Sequence, residues 1–214
     1  MKILSLDTST KAGSVAILED DTIIGEVYFS LEKTHSERIL PIIDYVLNFT
    51  NIDLNEIDFF VSGIGPGSFT GIRIGLSIIK AFSFVFKKPI IGINSFQAIK
   101  SKFHFKNFII IIPARKTEFF YAIIKEGQIH SYSTTKDEFP SNIDTAVILK
   151  NSIFKGIQNF SNRFKNFKKI YFTELFAHDF GKVAINDINA KKITYDVNPF
   201  YMKLSDAEEK LIKT

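Results

Sequence analysis

The stretch Gly63-Ile64-Gly65-Pro66-Gly67-Ser68-Phe69-Thr70-Gly71-Ile72-Arg73-Ile74-Gly75-Leu76-Ser77 separates two apolar runs of different length. Before it, residues 57–64 are mostly apolar, with acids at the leading end, and read as a buried strand. After it, residues 69–86 carry no proline and read as a long helix. A strand ends, a glycine-rich turn reverses the chain, and a helix begins. Turns of this kind set backbone N–H groups at a helix N-terminus, where anions bind. Two familiar phosphate loops nevertheless fail here. A Walker loop needs Gly-Lys-Ser/Thr four residues after its first glycine, and no lysine follows these glycines in that way. The dinucleotide fingerprint needs a third glycine where Ser68 stands, and an acid about 20 residues on. No acid lies between Asp58 and Glu118.

The helix after the turn is unusually apolar. Thr70, Arg73, Ser77, Lys80, Ser83 and Lys87 recur every three or four residues and form one narrow polar stripe. A surface helix normally hides a stripe and shows a polar face. Here the proportions are inverted, so the helix is expected to be covered on more than one side. Gly67, Gly71 and Gly75 repeat every four residues along one line. Glycine costs about 1 kcal/mol against alanine inside a helix, so the line implies another backbone packed very close. The cover is either the rest of the same domain or a docked protein. Arg73 and Lys80 interrupt the run and strands flank it, which argues against a membrane span.

Residues 65–75, Gly-Pro-Gly-Ser-Phe-Thr-Gly-Ile-Arg-Ile-Gly, resemble the signature of the TsaB family, also called YeaZ. Weaker similarity follows at Ala114-Arg115-Lys116, Glu118 and Tyr121, and at Asn198-Pro199-Phe200-Tyr201-Met202-Lys203 with Ala207-Glu208. Pro113 stands where the family has an acid. The resemblance implies the ribonuclease-H-like fold of actin, hexokinase and Hsp70-like ATPases (the ASKHA superfold). It implies a cytoplasmic, non-catalytic scaffold that binds and activates TsaD, the ATP- and metal-binding subunit. TsaD threonylcarbamoylates adenosine 37 of tRNAs that read ANN codons, and the small ATPase TsaE joins the complex. On this reading tRNA is met only through the complex. No cofactor, metal or membrane is required, although a nucleotide at a subunit joint fits the pattern.

The bulk composition is compatible with that role. The chain has 214 residues, 45% hydrophobic, with 23 Phe and neither Trp nor Cys. Without cysteine there is neither a disulfide nor a thiolate metal site. The apolar run after Met1-Lys2 is too short for a secretory core. A net charge of +4 permits RNA contact without being a footprint of it. The one dense basic run, Phe160 to Lys169 with Arg163, Lys165, Lys168 and Lys169, reads as a solvated amphipathic helix or as an RNA patch.

Taken in order, the first half reads as three meander strands (residues 3–10, 13–18 and 23–29), then helix, strand, helix, strand and helix up to about residue 103. Asp7-Thr8-Ser9-Thr10 closes the first strand. Asp, Ser and Thr are ordinary turn residues, yet the position resembles the first phosphate loop of the actin-like ATPases. Asp7, Thr8, Ser9, Gly65 and Gly67 are accordingly candidates for a vestigial phosphate loop. Thr34 and Glu37 make a capping box for a helix reaching about Phe49, with Pro41 expected to kink or delay it. His35 reads as a helix-start residue, because the two histidines four apart that catalytic relatives use for metal are absent after it. Asp53 or Asn55 caps a turn before the next strand.

The second half, residues 104–197, reads as strands near 108–112, 119–124, 129–133 and 146–149. Asn151-Ser152 stands where a second glycine-rich adenosine loop would be expected, so this domain is read as short and degenerate. Residues 198–214 form a tail, with Ser205 and Glu208 capping a last helix that returns to the first domain. No catalytic constellation is complete. The docking face is assigned to helices 36–49 and 69–86 through Ile39, Ile43, Val46, Gly71, Ile72, Gly75, Ile79 and Phe82. The same face is expected to pair two copies of the free chain, since a self-complementary patch favours two-fold association. The competing reading is an ATP-dependent kinase or hydrolase of the same superfold.

Overall fold

The computed structural model describes residues 1–10, 12–30, 36–114, 118–135, 138–150 and 164–203. It opens with the expected meander, β1 (Lys2–Asp7), β2 (Ala12–Glu19) and β3 (Thr22–Ser30). α1 (Ser36–Thr50) follows and runs through Pro41 without delay. One 3-10 turn (Leu54–Glu56) is capped by Asp53, whose Oδ1 accepts the Asn55 amide at 2.8 Å. β4 (Phe59–Gly63), α2 (Phe69–Phe86), β5 (Ile90–Ile93) and α3 (Ser95–Ser101) complete the first half. α2 has the bounds read from the sequence; Ser68 caps it by accepting the Gly71 amide at 3.2 Å. The second half holds β6 (Phe108–Pro113), β7 (Phe119–Lys125), β8 (Gln128–Thr135), β9 (Thr145–Leu149), β10 (Lys169–Thr173) and α4 (Ala177–Asn189).

The first sheet has the order β3-β2-β1-β4-β5, antiparallel through the meander and parallel from β1 to β5. The second has the order β8-β7-β6-β9-β10 with the same senses. This is the ribonuclease-H-like fold, and it occurs twice. The sequence shows no repeat, yet the architecture is one, because strand order depends on apolar alternation and turn chemistry rather than residue identity. The second sheet is therefore complete. Its brevity lies in its connections: residues 136–144 link β8 to β9 where the first half spends α1.

Alternation along the strands assigns two faces to the first sheet. Leu4, Leu6, Val15 and Ile17 point toward α1 and α2, and meet Ile39, Ile43, Val46, Leu76 and Ile79. Ile3, Ala16 and Leu18 point the other way, toward Phe180 and Ala184 of α4. That core continues without a break through Phe96 and Ile99 of α3 to Ile110 and Ile112 of β6. α4, late in the sequence, thus packs on the first sheet, with α3 beside it and toward β6. β10 and α4 are not read from the sequence. Phe180, Ala184 and Ile188 do recur at helical spacing there, but Gly181 interrupts them; a Cβ on Gly181 would stand 2.7 Å from Leu18 Cδ1.

α2 is long and apolar enough by composition to cross a membrane. Gly71, Ile72, Gly75, Leu76, Ile79 and Ser83 are buried against its own fold, so it is the core helix of an α/β layer. In the basic run, Phe164 and Phe167 are buried beneath the outer face of the second sheet with Phe139, and residues 164–166 form a turn rather than a helix. Lys168 is exposed and paired with Asp144 at 2.7 Å. Arg163 lies outside the described residues, as do His35, Asn151-Ser152, Arg115, Lys116 and the helix expected after Ser205.

Candidate functional site

β1 ends at Asp7, and the turn Thr8-Ser9-Thr10 carries the chain toward β2. All four residues are buried, none above 3% exposure. What covers them is the glycine line. A Cβ on Gly67 would collide with the Ser9 carbonyl oxygen, one on Gly71 with the Thr8 carbonyl oxygen, and one on Gly75 with Thr8 Oγ1. The close backbone required by this line is therefore the chain's own N-terminal turn. Hydrogen bonds fix the contact: the Ser68 amide donates to the Ser9 carbonyl at 2.7 Å, and Thr8 Oγ1 donates to the Gly71 carbonyl at 2.7 Å. Thr10 Oγ1 is spent locally, donating to the Ala12 carbonyl at 2.6 Å.

Gly65 makes the approach geometrically feasible. Its φ of +99° lies in the left-handed region that side chains avoid. Its carbonyl accepts the Ser95 amide at 2.8 Å, anchoring the turn to the start of α3. The five phosphate-loop candidates, Asp7, Thr8, Ser9, Gly65 and Gly67, are thus brought together. They are closed over one another rather than open to a ligand.

Asp7 is the chemically distinctive member. Burial pushes its carboxyl up to about 6; Ser9, whose amide donates to Oδ1 at 3.1 Å, pulls against this, and nearby Asp179 adds to it. A Cβ on Gly63 would strike Asp7 Oδ1, so the carboxyl is also hemmed in by the end of β4. The Ser9 hydroxyl meets no acceptable hydrogen-bond partner among the described residues. The Thr8 and Ser9 carbonyls face the N-terminus of α2, whereas the Asp7 carboxyl lies on the other side of the strand, beside Gly63 and Asp179.

The eight residues read as a docking face are distributed differently. Ile39, Ile43, Val46, Ile72 and Ile79 are 0–2% exposed, Phe82 is half-buried, and Gly71 and Gly75 lie under Thr8. They therefore seat α1 and α2 on the sheet and do not themselves reach outward. Helical periodicity finds the apolar face of a helix, and in an α/β layer that face belongs to the sheet. The outward apolar side chains are others: Tyr45 at 60% and Phe49 at 72% on α1, and Phe84 at 85% and Val85 at 66% on α2. An isolated exposed aromatic is ordinary, but several on two helices of one face are the usual mark of an interface. Sequence reasoning missed them because Phe84 and Val85 look like core residues in a helix that is apolar on every side but one narrow stripe.

The polar stripe of α2 is taken up by the tail. Arg73 Nε donates to Tyr201 Oη at 2.8 Å, Tyr201 stacks on Phe69 at 4.5 Å, and Lys80 pairs with Asp196 at 2.6 Å. The Phe200 amide donates to the Ile64 carbonyl at 2.9 Å. Lys203 pairs with Glu118 at 2.7 Å, joining the tail to β7's leading end. Tyr121 packs edge-on against Phe139.

The family model described as TsaD, tRNA N6-adenosine threonylcarbamoyltransferase, matches residues 22–180. A tRNA threonylcarbamoyladenosine biosynthesis protein TsaB from Haemophilus influenzae is 36% identical over 137 residues, covering 61% of this chain and 57% of the relative. The Escherichia coli protein of the same name is 35% identical over 127 residues, covering 57% and 54%. The chain thus spans about half the length of the curated relatives it matches. The structure of YeaZ from Pseudomonas aeruginosa superposes with a TM-score of 0.75 at 20% identity, over 94% of this chain and 99% of that one.

Proposed function

This chain belongs to the family of the matching TsaD model and, within it, to TsaB/YeaZ; from that premise we propose that it is a non-catalytic subunit that binds and activates TsaD for threonylcarbamoylation of adenosine 37 in tRNAs reading ANN codons. The observation that carries this reading is the closure of the Asp7–Thr10 turn by Gly67, Gly71 and Gly75. In the ATPases of this architecture the turn faces phosphate. Here the Thr8 and Ser9 carbonyls pack on the α2 backbone at Gly71 and Gly67, which supports a binding role over a phosphate role for the turn.

The docking surface is the outward side of α1 and α2, with Tyr45, Phe49, Phe84 and Val85 as anchors. Aromatic side chains of this kind supply much of the binding energy at protein interfaces. TsaD is the occupant and TsaE joins the pair; in the absence of TsaD a second copy takes the same face. The complex works in the cytoplasm, and tRNA is engaged through it.

The test is calorimetry of the isolated chain with ATP and magnesium. Neither measurable heat nor turnover is expected. Micromolar affinity with hydrolysis would restore the kinase or hydrolase reading and show that the turn opens.

A further inference from the structure

The link between α3 and β6 reads Lys102-Phe103-His104-Phe105-Lys106, cations and rings in alternation. Its two half-buried rings lie against β10. Phe105 meets Tyr171 with ring centroids 4.9 Å apart, Phe103 meets it at 6.3 Å, and the two phenylalanines are 5.7 Å from each other. His104 and Lys106 stay exposed beside them. β10 is the end strand of the second sheet. Four of its five residues are exposed, and Phe172, at 47%, is the most open of its apolar ones.

Register accounts for the exposure. Tyr171 stands opposite Val147 and Phe172 opposite Ile148, so the two rings leave the rim of the sheet on opposite faces. Val147 and Ile148 are buried and already close the core there. Lys150 Nζ sits 5.7 Å from the centre of the Phe172 ring. Charge is distributed as unevenly as polarity. Residues 100–107 and 165–173 hold Lys100, Lys102, Lys106, Lys165, Lys168 and Lys169, and neither Asp nor Glu. These six charges exceed the net +4 of the whole chain, so the remainder is negative in sum. Asp179 takes up Lys102 and Asp144 takes up Lys168; the other four make no ion pair among the described residues.

Exposed rings set among lysines fit one class of partner. Unpaired bases stack on aromatic faces while their phosphates meet ammonium groups. A protein fits less well, because lysine is depleted at protein interfaces and lysines along an edge strand keep other strands from adding to it. We propose that β10 and the 102–106 link form a contact surface for an unpaired stretch of RNA. Tyr171 and Phe172 are its stacking platforms, and Lys106, Lys165 and Lys169 its phosphate contacts. A strand crossing the rim of the sheet meets both rings. The surface lies on the second sheet rather than on α1 and α2, so it goes beyond the docking face; only the choice of RNA over DNA rests on the subunit reading.

The test is fluorescence anisotropy of a labelled oligouridine of about 12 nucleotides, titrated with the isolated chain at low salt. TsaD is absent, so failure here is distinct from failure of the subunit reading. Saturable binding is expected, weakened about tenfold by Phe172→Ala and by Tyr171→Ala. Lys169→Ala is expected to reduce the slope of log affinity against log salt by about 0.7, the share of one phosphate on a single strand. An oligouridine that does not bind overturns the proposal, as does binding that either ring variant leaves unchanged, or binding of the matching oligodeoxyuridine alone. Self-association of the chain that Phe172→Ala abolishes, in place of RNA binding, would make β10 a protein edge and overturn it too. Should Tyr171→Ala fail to fold, Phe172→Ala decides, since that ring is exposed.

Discussion

Gly71 inverts a general rule. Glycine to alanine in a helix interior gains about 1 kcal/mol from propensity. Here the added methyl meets the Thr8 carbonyl oxygen, and backbone yields less readily than a side chain. Forcing extra volume into a packed site costs about 1–3 kcal/mol, so the clash wins. Gly71→Ala is expected to lower the unfolding midpoint in denaturant, whereas Ser77→Ala, on the exposed side of the same helix, changes stability by less than about 0.5 kcal/mol. Asp7 gives the second prediction at this scale. An acid whose folded pKa is raised destabilises the fold when ionised, so its penalty is full above about 6 and relieved as pH falls toward its ordinary value. Asp7→Asn should stabilise the protein by about 1–3 kcal/mol at neutral pH and by much less near pH 4, as thermal melts at the two values would show; equal shifts would place the carboxyl in water. The glycine line and the Asp7 turn were both legible in the sequence as separate features. That each is the other's ligand was not, because residues 63 positions apart carry no local trace of contact.

At the scale of the element, α2 is where reading and structure part. Its bounds and its close-packed glycine line were readable from the absence of Pro over residues 69–86 and a four-residue glycine period. Its outward face was not, since the one polar stripe faces the tail rather than solvent and the outward Phe84 and Val85 have the character of core residues. Tyr201 and Asp196 mark the stripe that faces residues 194–203, leaving Phe84 and Val85 outside. Substitution at Ile79 or Gly71 would therefore damage the fold before it touched a partner. Phe84→Asp is expected to leave the melting temperature nearly unchanged, because the ring is exposed. It should weaken pairing with TsaD by tenfold or more, about 1.4 kcal/mol at an interface anchor. Gel filtration and titration of the two proteins would check this, and unchanged affinity would move the docking surface elsewhere.

Across the whole molecule, the duplicated sheet explains both what was legible and what was not. The first half follows the signature strand–turn–helix, so its order could be read outward from residues 63–77. The second half has no such anchor. β10 carries a mostly exposed pattern, and the core function of α4 depends on a sheet more than 150 residues away, as the His178–Glu26 contact shows. The doubled ribonuclease-H-like architecture of this chain has its first turn closed by α2, in keeping with a binding role. The most direct measurement is reconstitution with TsaD from the same genome, read out by co-elution and by threonylcarbamoyladenosine formed on tRNA. The expected result is a stable complex, with product only when both proteins are present and none from this chain alone. Failure to form a complex, with ATP hydrolysed by the isolated chain, would contradict it.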